Sequence, residues 1–262
     1  MTFTVADSAV PHRLPTPDPG TPYRLSDLIQ RHRAGDAVFL TDAVLSHRGP
    51  HDPLLYTAHR NVLPPRTVRG RGWFADLVQY QPGRLPGGEL VRSTGHWNTP
   101  GQLEVFQVLS GRVLMLSAWT SSTSATLTHQ VCSPGQLAVI PFGGWHLTLV
   151  LDGPADVFNV YTELDDAAAP VPADERGKYR RAAAVELTAV GHRDGFTITG
   201  PAAGAARWGT AQQVWEPGWL RDITGEAGDL PAFIRGADDA TLDMLTRQAR
   251  RLVPTCHRTD LR

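Results

Sequence analysis

Between Trp73 and Thr162, glycine and proline interrupt the chain every few residues, and this punctuation most limits the folds open to it. Short apolar or mixed runs lie between the breaks: Phe74–Tyr80, Glu104–Leu109, Arg112–Trp119, Ala125–Val131, Gln136–Ile140, Trp145–Leu151 and Ala155–Thr162. The breaks are Pro82-Gly83, Pro86-Gly87-Gly88, Ser110-Gly111, Ser133-Pro134-Gly135, Phe142-Gly143-Gly144 and Asp152-Gly153-Pro154. Each run has the length of a strand. A parallel sheet would need crossover helices between strands, and there is no room for them. The spacing predicts an all-β antiparallel barrel or jelly roll, with Ser110-Gly111 as a tight hairpin turn.

The flanks divide the chain into residues 1–53, an N-terminal arm and helix; 54–164, the barrel core; and 165–262, an extension packing on the barrel and ending in a helix. Pro11–Thr21 carries four prolines and reads as an extended arm. Ser26 as N-cap and Gly35 as stop bracket a short helix. Ala37–Val44 fits strand or helix. His47, His51 and His59 sit in a polar, proline-containing stretch and read as solvated loop residues. Asp165–Asp174 reads as a linker, and Val185–Gly200 as one or two strands. Trp208, Trp215 and Trp219 read as aromatics covering one end of the barrel. Asp238–Leu252 predicts a helix with an apolar stripe at Leu242, Leu245 and Leu252, and with arginines at its C-terminal end.

Composition bounds the partners. The 262 residues are 41% hydrophobic and 19% charged, which suits a folded chain. Lys plus Arg number 25 against 26 for Asp plus Glu. That balance gives no electrostatic reason to expect nucleic acid or a membrane surface as partner, so an anionic substrate needs a local site. Cys132 and Cys256 lie outside any CxxC spacing and read as reduced thiols. Met1–Val10 lacks the pattern of a signal peptide, and no apolar run approaches the ~20 residues of a membrane helix. A soluble cytoplasmic protein is the expectation.

Two stretches carry chemistry. Residues two apart on a strand share a side, so His96 and Asn98 point together. Glu104 opens the next strand, and Phe106 and Val108 share its side. A carboxylate on an otherwise apolar interior face is costly unless a charge meets it. A divalent metal would meet it, with His96 and, from the strand after Gly143-Gly144, His146. Two histidines and one carboxylate suit iron, manganese, zinc or nickel with positions left open for substrate.

The words Gly95-His96-x-Asn98, Glu104-(six residues)-Gly111 and Pro134-Gly135-(five residues)-Pro141-(four residues)-His146 resemble the two cupin motifs. The likeness covers roughly Leu54 to Glu163. It implies a cupin double-stranded β-helix, a jelly-roll barrel with short helices at the N-terminus and C-terminus. Pro82-Gly83-Arg84 through Arg92-Ser93, followed by Glu104-Val105-Phe106-Gln107-Val108-Leu109-Ser110-Gly111, is similar to the archaeal cupin-type glucose-6-phosphate isomerases. That resemblance implies metal ligation by His96, Glu104 and His146, and by Asn98, which stands where the family has a second histidine and can ligate through its carbonyl oxygen or hold a metal-bound water. Phe106 replaces a tyrosine, and Val78 a threonine. Ser93 and Gly95, with Arg92 and Arg84, fall where the family holds phosphate. Strand parity instead turns Arg92 and Thr94 inward with His96, and a bulge at Gly95 would reconcile the two.

Three functions follow as expectations. The first is a metal-dependent sugar-phosphate isomerase, with Glu104 assisting proton transfer and Arg92, Ser93, Thr94, Gly95 and Phe106 around the substrate. The second is a cupin oxygenase, lyase or epimerase of secondary metabolism. The third is a non-catalytic cupin that binds a small ligand. By analogy of fold a homodimer is expected.

Overall fold

The computed structural model describes residues 19–36, 38–47, 49, 52–99, 101–120, 125–140, 142–164, 185–225 and 229–252. Two long strands form its spine. β6 (Glu104–Thr120) and β9 (Trp145–Leu164) run antiparallel, from Glu104 opposite Tyr161 to Ala118 opposite Trp145. The expected hairpin at Ser110-Gly111 is therefore absent, and Asp152-Gly153-Pro154 does not end a strand. The two motifs face each other as one bend: Ser110 pairs with Asp156 and Arg112 with Asp152, with the register shifting between them. Gly111 and Gly153 take φ of 72° and 84°, the left-handed region that glycine enters without penalty. The break signals were real, but they bend paired strands instead of reversing them, as bulges do.

The bend divides the sheet into two halves that face each other. On one side β4 (Arg71–Tyr80) flanks the second part of β9, and β8 (Leu137–Ile140) flanks the first part of β6. On the other, β7 (Ala125–Cys132) flanks the second part of β6, and β5 (His96–Trp97) the start of β9. β1 (Thr21–Arg24), β2 (Leu54–His59), β3 (Arg66–Val68) and β12 (Gln212–Gln213) complete a ten-stranded sheet. This is an all-β jelly-roll barrel. Its interior is lined by Tyr80, Phe106, Val108, Val113, Met115, Ile140, Val150 and Val157.

The flanking segments are part of the same core. α1 (Leu25–Ala34) starts two residues earlier than Ser26 predicts. Arg24 is its N-cap, and the Asp27 carboxylate accepts the Arg24 N–H. Ser26 instead bonds Asp52, and Gly35 stops the helix in the left-handed conformation. Residues 38–40 run without regular structure into α2 (Asp42–Leu45). His59 is not a solvated loop residue: it lies on β2, buried, with its ring bonded to the Gln79 amide. His51 and Asp165–Asp174 fall outside the described residues.

β10 (Thr188–His192) and β11 (Gly195–Thr199) form a hairpin. With Trp208 at the end of α3 (Ala202–Trp208) it covers Leu114, Leu116, Leu147 and Leu149 on an outer face of the sheet. α4 (Gly218–Thr224), α5 (Leu230–Gly236) and α6 (Asp239–Arg250) cover Trp73, Leu103, Val105 and Phe158 on another. Leu242 and Leu245 of α6 are fully buried there, and Asp238 caps the helix. The three tryptophans do not act together. Trp208 and Trp219 join different clusters, and Trp215 is 71% exposed. Among the described residues no helix is long and apolar enough to cross a membrane.

Candidate metal centre

His96 and His146 stand directly opposite each other on β5 and β9, so their side chains leave the sheet on the same face. Glu104 is the first residue of β6, and it turns to the same point. The His146 Nε2 lies 3.3 Å from the His96 Nε2 and 3.1 Å from Glu104 Oε2, while the His96 Nε2 lies 3.7 Å from Glu104 Oε1. All three donor atoms fall within 4.8 Å of one another.

These separations fit a metal. Ligand atoms ~2.0–2.2 Å from one ion stand ~2.8–3.1 Å apart at octahedral angles and ~3.3–3.6 Å apart at tetrahedral ones. The 3.1 and 3.3 Å separations fall in these ranges, and the 3.7 Å one is slightly wider. Without an ion, a buried carboxylate and two facing ring nitrogens make a poor hydrogen-bonding set, because at most one nitrogen of each neutral ring carries a proton. The residues present therefore fit a divalent cation. Glu104 and His146 are buried, whereas the His96 side chain is 21% exposed, which leaves the centre open on that side.

Local structure fixes these positions. Gly95 takes φ of 74°, and a Cβ there would press on Trp145 and the His146 carbonyl. The Asn98 N–H donates to the Gly144 carbonyl, and the Gly143 N–H to that of Thr99, tying the two ligand-bearing loops together. The Asn98 side chain is buried, and neither its oxygen nor its nitrogen has a partner among the described residues. A buried amide without partners costs ~1–3 kcal/mol, so this one is suited to a ligand or a bound water.

The remaining predicted residues separate. Thr94 is buried, and its hydroxyl meets the Tyr56 hydroxyl at 3.0 Å. The Phe106 ring lies against His146, centroids 5.3 Å apart. The Ser93 Oγ accepts the Thr148 N–H. Arg92 is 1% exposed, and its guanidinium donates to Glu89 and to the carbonyls of Phe39, Ser93 and Thr94. Glu89, fully buried, also accepts from the Thr188 hydroxyl and the Thr41 N–H. Arg84 reaches the carbonyls of Val150 and Leu151. Val78 packs against the interior cluster.

Sequence reasoning missed Gln102 and the polar strip beside Glu104. The Gln102 amide donates to Glu104 Oε1 at 2.7 Å and fixes the carboxylate. Asp76 and Asn159 pair across β4 and β9, and Asn159 pairs in turn with Phe106 across β6. Burial pushes the Asp76 carboxyl above its ordinary value, opposed by Arg60 and the Asn61 N–H, while the Glu104 charge adds to the rise. Burial and the nearby carboxylates likewise raise the Tyr161 hydroxyl. An aspartate inside the apolar run Phe74–Tyr80 was the available signal.

No protein-family model matches the chain, and no curated protein matches it. Among solved structures, a recombinant oxalate oxidase in complex with glycolate aligns at 15% identity over 48% of this chain, with a TM-score of 0.35. The alignment spans 60% of that protein's length. A second oxalate oxidase structure aligns at 12% identity over 80% of each chain, also with a TM-score of 0.35. KdgF from Halomonas sp. aligns at 13% over 41% of this chain and 77% of its own, with a TM-score of 0.29. These likenesses are distant, and the chemistry of the centre rests on its own geometry.

Proposed function

We propose that the chain is a metal-dependent enzyme acting on a small polar metabolite with adjacent oxygen atoms, with aldose–ketose isomerisation as the first reaction to test. The convergence of His96, His146 and Glu104 inside the barrel is the observation that supports this most. A divalent ion there supplies Lewis-acid polarisation of a carbonyl. Glu104, held by Gln102 at one oxygen, is the group that moves the proton between adjacent carbons. Asn98, Phe106 and the Asp76–Asn159 strip form the wall that orients the substrate.

Protein reconstituted with Fe(II), Mn(II), Zn(II) or Ni(II) should incorporate solvent deuterium beside the carbonyl of a ketose or ketose phosphate, read by mass spectrometry. No interconversion of aldose and ketose with any metal and any such sugar would sink the isomerase reading, and interconversion without exchange would remove Glu104 as the carrier of the proton.

One observation favours a second reading. The Arg92 guanidinium is occupied within the protein, so the phosphate grip implied there by resemblance has no free cation at Arg92. A substrate without phosphate, handled by a cupin oxygenase, lyase or epimerase, agrees better with that. Oxygen uptake by the Fe(II) protein with a hydroxy acid would favour it, and a non-catalytic binding role predicts neither readout.

A further inference from the structure

We propose that the cleft between α6 and the β3–β4 turn is a binding site for a phosphoryl oxyanion, separate from the metal centre. The cleft has a volume of about 150 Å³ and is lined by Arg69, Arg71, Arg247 and Arg250, with Asp243 as its one carboxylate. A single water needs ~10–15 Å³ of such space, so a tetrahedral anion fits with water around it. Asp243 is taken by two of the four cations: it meets Arg69 at 2.7 Å and also Arg247. No carboxylate among the described residues pairs with Arg71 or Arg250.

Arg71 is nearly buried and donates to the Gly101 carbonyl and the Thr162 hydroxyl, neither of which carries charge. Its guanidinium and that of Arg250 both lie against the Phe142 ring, 5.4 and 5.0 Å from its centroid. Burial and the Arg250 charge both pull Arg71 below the ordinary arginine value. Two cations brought together without a counter-charge are unfavourable, and an oxyanion bridging them removes the conflict.

Local backbone preference does not call for two of these arginines, although Arg69 pairs with Asp243 and Arg71 bonds Gly101 and Thr162. Arg247 and Arg250 suit the C-terminal turn of α6. Arg69, however, takes φ of 50° in the two-residue turn Arg69-Gly70, where Asn, Asp or Gly is the favoured choice. Arg71 sits within a strand, in a position that removes it from water. A phosphoryl group, with several oxygens for guanidinium forks, is the class that matches.

The test is calorimetric titration of the full chain with inorganic phosphate, pyrophosphate and glycerol 3-phosphate at fixed ionic strength, with chloride as control. Saturable binding of the phosphoryl ligands over chloride is expected, falling about tenfold in Arg250→Gln and in Arg69→Asn. Arg69→Asn suits the turn and should keep or raise the melting temperature, which separates lost binding from lost folding. Binding in a His146→Ala variant should be unchanged. Uptake of glycerol 3-phosphate would indicate an organic phosphate as the natural ligand, and uptake of the inorganic ions alone a free one; both support the site. Equal binding by wild type and both arginine variants, loss only in His146→Ala, or no saturation with any phosphoryl ligand would overturn it. A metal at the barrel centre is not required, so failure of the proposed enzymatic function leaves this result unaffected.

Discussion

Gln102 is the residue on which the geometry of Glu104 most depends. Its amide holds one carboxylate oxygen, and its own oxygen accepts the Thr99 N–H, so it also ties the carboxylate to the loop after His96. Residues that orient a metal ligand typically change metal affinity by ~10–100-fold when removed. Gln102→Ala should weaken binding of an added divalent ion by that order, measured by competition with a fluorescent chelator, without loss of the folded circular dichroism spectrum. Arg92 belongs to a different category. Burial pulls its guanidinium below the ordinary value, and Glu89 works against that. Breaking a fully buried pair leaves an uncompensated charge and costs ~3–5 kcal/mol. Arg92→Met should therefore lower the urea midpoint sharply; a variant as stable as wild type would show that Arg92 is free to serve a ligand.

At the scale of elements, the facing bends of β6 and β9 decide the shape of the barrel. A Cβ on Gly111 would collide with the Pro154 carbonyl and with Ala155, and its φ is positive as well. Gly111→Ala should destabilise by ~1–3 kcal/mol in denaturant titrations, and more than Gly135→Ala, where the added Cβ meets nothing within 4 Å although φ is again positive. β7 carries a pH-sensitive position. Burial pushes the His129 imidazole below its ordinary value, partly offset by a bond to the Ala211 backbone. The native state then binds fewer protons here than the unfolded chain. This contribution is complete above pH 6.5, the ordinary histidine value, and is lost as pH falls from there through the folded value. Denaturant midpoints from about pH 8 to about pH 5 should shift against the wild type relative to His129→Gln. A gap that stays constant across that range would contradict the assignment.

For the whole molecule, the described flanking segments are structural parts of the barrel. β1 extends the sheet, α1 packs on the interior cluster, and α4 to α6 and the β10–β11 hairpin cover its outer faces. Much of this was legible in sequence for one reason: strand parity and turn residues are local. His96, Glu104 and His146 were found because each stands at a strand start beside a glycine-bearing loop, and α6 because its stripe and cap lie within fifteen residues. What could not be read depends on register between distant segments. Arg92 reads in sequence as a phosphate contact because Phe39 and Thr188 meet it and its partner Glu89 only after folding. Asp76 and Asn159 join the wall beside Glu104 only through the β4–β9–β6 pairing. The Ser110-Gly111 bend looked like a turn because nothing local shows that β9 bends opposite it. The convergence of His96, Glu104 and His146 predicts one bound divalent ion. The most direct test is the metal content of reconstituted, desalted protein, measured by plasma mass spectrometry for wild type, His96→Ala and Glu104→Gln. One ion per chain in the wild type and marked loss in both variants is the predicted result; equal content in all three would contradict it.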